Sequence, residues 1–207
     1  MTSSQPSGPG SHLSNVWSKV TDLNVVRGQG CRVYDANDVA YLDFTAGIAA
    51  ASTGHCHPKV VQAISDQAHR FVHAQASVYQ HDLLEPMAAR LDGLTPESID
   101  TFFFSNSSDE ILEAAVKLAR HATGRHDIIT FDGAFHGRTL LTLAMSTSRA
   151  IDREGYGPFP GGVHVAPFPD PHASDQESEI TRALRGLDRL FATQIPANEV
   201  AAIIIEP

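Results

Sequence analysis

Short apolar runs broken by turn residues open the readable part of the chain. Residues 25–27, 31–34 and 39–44 are rich in β-branched and aromatic types, and Gly28-Gln29-Gly30 and Asp35-Ala36-Asn37-Asp38 between them carry turn chemistry. The pattern predicts a small antiparallel meander that cannot bury a core alone. The period then lengthens. Pro58 opens a predicted helix reaching about residue 72, with Val60, Val61, Ile64 and Ala68 on one face and Lys59, Gln62, Asp66 and Arg70 elsewhere. A second helix is expected from about His81 to Leu91, with Pro86 as a kink or a late start. Residues 101–104, short and aromatic, suit a buried strand.

Beyond residue 105 the two periods alternate. Helices are expected over 108–122, 139–145 and 177–192, and strands over Asp127–Phe131, Val163–Ala166 and 200–205, with a Gly/Pro-rich loop at 155–162. Such alternation implies an α/β fold, a mostly parallel sheet with helices on both faces. The run at 200–205 is the clearest candidate for a buried strand. Ligands of open α/β sheets bind beyond the C-terminal ends of the strands, where Glu206 follows this one.

Composition narrows the class. Of 207 residues 42% are hydrophobic and 19% charged, which is ordinary for a soluble globular protein. A formal net charge of -9 argues against nucleic acid or an anionic membrane as partner. No run approaches the ~20 apolar residues of a membrane span. The Ser-, Pro- and Gly-rich start reads as a disordered tail over 1–14 rather than a signal peptide. Cys31 and Cys56 read as reduced thiols of a cytoplasmic protein.

Three places carry candidate chemistry. At Ser105-Asn106-Ser107-Ser108-Asp109-Glu110 an apolar run enters a polar turn and then a helix, whose free N–H groups and dipole suit a phosphate. Ser107 with Glu110 equally matches a capping box that would satisfy those groups without a ligand. Phe135-His136-Gly137-Arg138-Thr139 follows a strand: Phe135 can stack on a flat ring, and Arg138 can clamp a carboxylate. Taken singly, each also reads as packing or surface. Gly54-His55-Cys56-His57 suggests a metal by residue type, but no second cluster supplies further ligands, and a tight loop before the next helix is the expectation.

Together these stretches resemble the class III, or ω-amino, aminotransferases. Residues 106–120, reading NSSDEILEAAVKLAR, are similar to that family's Asn-Ser-Gly-x-Glu stretch, and 135–139, reading FHGRT, match at the expected distance. So do Leu42-Asp43-Phe44 with Gly47-Ile48-Ala49, Gly54-His55-Cys56-His57-Pro58, and the closing Ile204-Ile205-Glu206-Pro207. The resemblance implies a fold-type I transferase using pyridoxal 5'-phosphate, with 15–54 in a small domain and 55–207 in part of the large cofactor-binding domain. It implies that Ser107, Ser108, Asp109, Phe135, His136 and Glu206 meet the cofactor, and that Arg138 and Ile48 meet the substrate. The expected partners are an amino donor, a 2-oxo acid and a second copy of the chain, as a homodimer.

Two departures qualify that expectation. Ser108 stands where the family carries glycine, and Asp109 would set a carboxylate beside the phosphate, a repulsion of about a kcal/mol or more in a partly screened site. The Schiff-base lysine is not recognisable either. The chain's lysines are Lys19, Lys59 and Lys117, and Lys117 is expected to pair with Glu113 one turn back. The alternative reading is a catalytically inactive homologue that acts only by association with an intact partner.

Overall fold

The computed structural model describes residues 20–207 together with His12 and Ser14; the rest of the expected tail lies outside the described residues. The chain divides into two compact units, one up to Leu84 and one from Glu85 onward. The boundary expected between 54 and 55 falls inside the first.

The first unit begins with the meander: β1 (Val25–Gln29), β2 (Arg32–Asp35) and β3 (Ala40–Leu42), paired antiparallel in sequence order. Gln29 faces Arg32, so the first turn is Gly30-Cys31 and not Gly28-Gln29-Gly30 as expected. Gly28 lies within the strand for another reason. A Cβ there would come within 2.7 Å of the His55 ring, so this glycine provides room for close packing. A four-residue turn, α1 (Ala46–Ala49), follows β3, and α2 (Pro58–Arg70) begins at its proline as expected. No described residue of this unit is buried; Val60, Val61 and Ile64 on α2 are 42%, 49% and 65% exposed. At the junction lies α3 (Leu84–Asp92), with Pro86 in its first turn: a late start, where a missing N–H costs nothing.

The second unit holds the core. Its parallel sheet has the order β5-β4-β6, from β4 (Asp127–Phe131), β5 (Val163–Ala166) and β6 (Val200–Ile203). The helices are α4 (Ser108–Thr123), α5 (Leu140–Met145) and α6 (Gln176–Thr193). Successive side chains of β4 alternate between faces. Ile129 packs with Ala166, Leu190, Ile195 and Val200 on the α6 side, and Ile128 packs with Val116, Leu141 and Met145 on the α4 and α5 side. Each of these two isoleucines is fully buried, contributing about 1.5–3 kcal/mol relative to exposure.

Two expectations are corrected. Residues 101–104 form no strand, and Phe103 and Phe104 are 72% and 39% exposed. Apolar composition alone does not make a strand; the backbone needs a neighbour to bond, and no described strand pairs with this run. The last strand stops at Ile203, although the Ile204 N–H still reaches the Ile129 carbonyl at 2.8 Å. Only Val200 of it is buried, because β6 is the edge of the sheet and Ile203 and Ile205 lie uncovered. Among the described residues no helix is long and apolar enough to cross a membrane.

Candidate cofactor and substrate site

The site gathers where β4 and β6 end and α4 begins. Past β4 the chain turns through Asp132 to Thr139 before α5. Glu206, beyond the end of β6, accepts the Phe135 N–H at 2.7 Å and so ties the two strand ends together. The Phe135 ring is left 43% exposed at this edge.

His136 turns the other way. It is buried, its N–H donates to Ser146 Oγ at 2.8 Å, and its Nε2 lies 3.0 Å from Thr130 Oγ1. The Thr130 hydroxyl donates to the Met145 carbonyl, so its oxygen accepts and Nε2 carries the imidazole proton. Burial lowers the imidazole's affinity for a second proton, and nearby Glu206 opposes that only in part. His136 is therefore a neutral brace beneath the turn. Arg138 faces solvent with its guanidinium 5.9 Å from the Phe135 ring centroid and 3.9 Å from Asp152.

At the start of α4, Ser107 is the N-cap and its Oγ accepts the Glu110 N–H at 3.2 Å. The expected capping box draws on this bond and on the Ser107 N–H, which contributes a hydrogen bond to the Glu110 carboxylate. The Glu110 carboxylate accepts from the Ser105 hydroxyl at 2.5 Å and from Asn106, backbone and side chain, at 2.9 and 3.0 Å, bonds that hold its pKa below the usual carboxylate range. This folds the 105–107 turn back over the helix end. The Ser107 hydroxyl proton and the Ser108 N–H have no partner among the described residues.

The Asp109 side chain reaches another element. Its Oδ1 accepts the N–H of Arg138 at 2.5 Å, the N–H of Thr139 at 3.0 Å and the Thr142 hydroxyl at 2.9 Å. Desolvation works against its ionisation, but these donors outweigh it and its pKa is lowered. One turn on, Glu113 accepts the Thr139 hydroxyl at 2.7 Å instead of forming an ion pair with Lys117. Sequence reasoning missed this linkage. The one signal for it is that Asp109 and Glu113 share a face of α4.

The remaining candidates lie in the first unit. Ile48 is 95% exposed within α1, where Ala46, Gly47, Ile48 and Ala49 all have positive φ, a left-handed run. The Gly54–His57 segment is the expected tight loop, bridged to Gly30 through His55. His55 Nε2 lies 2.7 Å from Asp43, whose pKa is held well below the usual range by the Thr45 hydroxyl first and His55 second.

The ends of a parallel α/β sheet thus carry a capped helix, an exposed aromatic face and an exposed arginine. The chain belongs to the class-III aminotransferase family, whose model matches residues 13–207. It is 44% identical over 161 residues to the acetylornithine aminotransferase of Halalkalibacterium halodurans, covering 77% of this chain and 40% of that protein. To the 2-aminoadipate transaminase of Pseudomonas putida it is 36% identical, over 91% of this chain and 45% of the relative. The chain thus spans less than half the length of these relatives. Among solved structures, the taurine:2-oxoglutarate aminotransferase of Bifidobacterium kashiwanohense, in complex with PLP and glutamate, superposes with a TM-score of 0.80 at 23% identity, over 88% of this chain and 42% of that one. An ω-transaminase of Thermomicrobium roseum does so at 0.79 and 26%, over 87% and 42%. The fold is that of fold-type I transaminases, and the cofactor of the family is pyridoxal 5'-phosphate.

The groups present fit that cofactor's chemistry. The Ser107 hydroxyl and Ser108 N–H are unspent donors at a helix N-terminus, beside an Asp109 carboxylate that keeps its charge while its Oδ1 is engaged on the 138–139 turn.

Proposed function

We propose that this chain is the cofactor- and carboxylate-binding portion of a homodimeric aminotransferase that moves an amino group from an ω-amino or amino acid to a 2-oxo acid. The observation that carries the reading is the hydrogen bond from the Arg138 N–H to Asp109 at the start of α4, which joins a carboxylate-binding arginine to a phosphate-suited helix end. Ser107, Ser108 and the backbone of Asp109 would hold the cofactor phosphate. The exposed face of Phe135 would hold its ring, with His136 bracing that turn from below and Glu206 fixing it through the Phe135 N–H. When bound, the cofactor supplies the carbonyl that takes up the amino group and passes it on.

Arg138 would receive the substrate carboxylate. Its guanidinium is exposed, and Asp152, at 3.9 Å, is a weak competitor that a bidentate carboxylate displaces. Ile48 would serve as an apolar contact for the substrate chain. In sequence, none of Lys19, Lys59 and Lys117 falls within the 105–109 or 132–139 turns. Both cysteines are free, which supports a reducing compartment such as the cytoplasm.

The test pairs two measurements on the protein as its native host makes it: intact mass and amino transfer to a 2-oxo acid with added pyridoxal phosphate. A mass well above 22.3 kDa with transfer that is lost in Arg138→Ala for carboxylate-bearing donors supports the reading. A mass of 22.3 kDa with saturable cofactor binding and no transfer would favour the inactive, partner-binding homologue instead.

A further inference from the structure

Helix α5 begins with N–H groups that have no partners inside the helix. Just before it, the Arg138 N–H is met from another element, by Asp109 Oδ1 of α4 at 2.5 Å, and the Thr139 N–H is shared between that oxygen at 3.0 Å and the capping Thr142 of α5 itself. The Thr142 hydroxyl donates to the same oxygen at 2.9 Å while accepting the Thr139 N–H at 2.9 Å. Gly137 makes room for this contact. It has φ +132, and a Cβ there would stand 2.2 Å from Asp109 Oδ1, so only glycine admits the carboxylate. Glu113, one helical turn beyond Asp109, takes the Thr139 hydroxyl at 2.7 Å. Two carboxylates on one face of α4 therefore grip the turn that carries Arg138.

The Arg138 side chain has no comparable anchor of its own. It is 71% exposed, and its ion pair with Asp152 spans 3.9 Å, too long to be a hydrogen bond. Its direction is consequently set through the backbone. We propose that Asp109 is a positioning residue: its carboxylate fixes the Arg138–Thr139 backbone to the N-terminus of α4 and thereby sets where Arg138 presents its guanidinium to a substrate carboxylate. The proposal rests on the role given to Arg138 above. It also gives a function to the carboxylate at the position where the sequence alone suggests only a repulsive neighbour for phosphate.

The test compares Asp109→Ala, which removes the acceptor, with Asp109→Asn, which keeps an acceptor oxygen without the charge. Amide hydrogen exchange is read without ligand, and apparent affinity is read for two donors, an amino acid and an amine lacking a carboxylate. In Asp109→Ala the Arg138 and Thr139 amides are expected to exchange about tenfold faster or more, with those of Ile128 and Ile129 unchanged. The same variant is expected to lose roughly tenfold in affinity for the carboxylate-bearing donor and little for the plain amine. Asp109→Asn is expected to recover most of both. Should Asp109→Ala not accumulate as folded protein, Asp109→Ser, whose shorter side chain carries no carboxylate, makes the same comparison. Unchanged exchange, or equal loss on both donors, overturns the proposal. If Arg138→Ala separates the two donors and Asp109→Ala does not, the proposal alone fails; if Arg138→Ala separates neither, the functional reading fails and takes the proposal with it.

Discussion

Asp109, Glu110 and His136 show how neighbouring groups acquire different chemistry from their partners. Asp109 and Glu110 are adjacent in α4, yet one carboxylate bonds across to the 138–142 segment and the other back to Ser105 and Asn106. Both pKa values are lowered, so both groups stay charged at neutral pH. His136 is shifted by burial, which disfavours its cation. The sign follows directly. An unfolded histidine takes a proton near pH ~6.5, whereas the folded one resists until lower pH, so its contribution is complete above that value and lost as pH falls below it. The urea midpoint of the protein is expected to drop between about pH 7 and pH 5, and His136→Gln to flatten that slope. An unchanged slope in the variant would show that other histidines account for the dependence. The pattern of residue types identified Phe135, His136 and Arg138 as a group. That His136 points inward and Arg138 outward could not be read there, because the direction depends on Thr130 and Ser146 lying beneath the turn.

At the scale of elements, β4 and β5 occupy the residues expected of them, and α2 and α4 begin where their proline and cap place them. Local signals suffice there: a run of β-branched residues bounded by turns, or a cap followed by a periodic apolar stripe. The run at 101–104 has a comparable local signal and no partner, and forms no strand. The left-handed α1 is the opposite case, a backbone that local preference opposes. Placing a β-branched residue such as Ile48 there costs about 1–2 kcal/mol. Since Ile48 is 95% exposed, Ile48→Gly loses little burial and is expected to stabilise the first unit by about 0.5–1 kcal/mol in urea unfolding. If Ile48 also contacts substrate as proposed, affinity falls in the same variant. A less stable Ile48→Gly protein would mean that the side chain is covered in solution.

Across the whole molecule, burial is unevenly shared. Among the described residues, every buried one lies at or beyond Val116, and the first unit presents Val60, Val61 and Ile64 of α2 with no protein cover. The 207-residue chain on its own is expected to bind a hydrophobic dye strongly and to unfold in two steps, the first unit at lower urea than the second. A single cooperative transition with no dye binding would mean that the α2 face is covered in solution. What the sequence by itself determined is the alternation of strands and helices, the α/β class and the family, because period, caps and ordered motifs are properties of neighbouring residues. The tertiary structure alone decided which strands find partners, which side of the turn His136 takes, and that Asp109 holds Arg138 from 29 positions away. Those outcomes depend on contacts between segments that are distant in the chain, and no periodicity within either segment specifies the other.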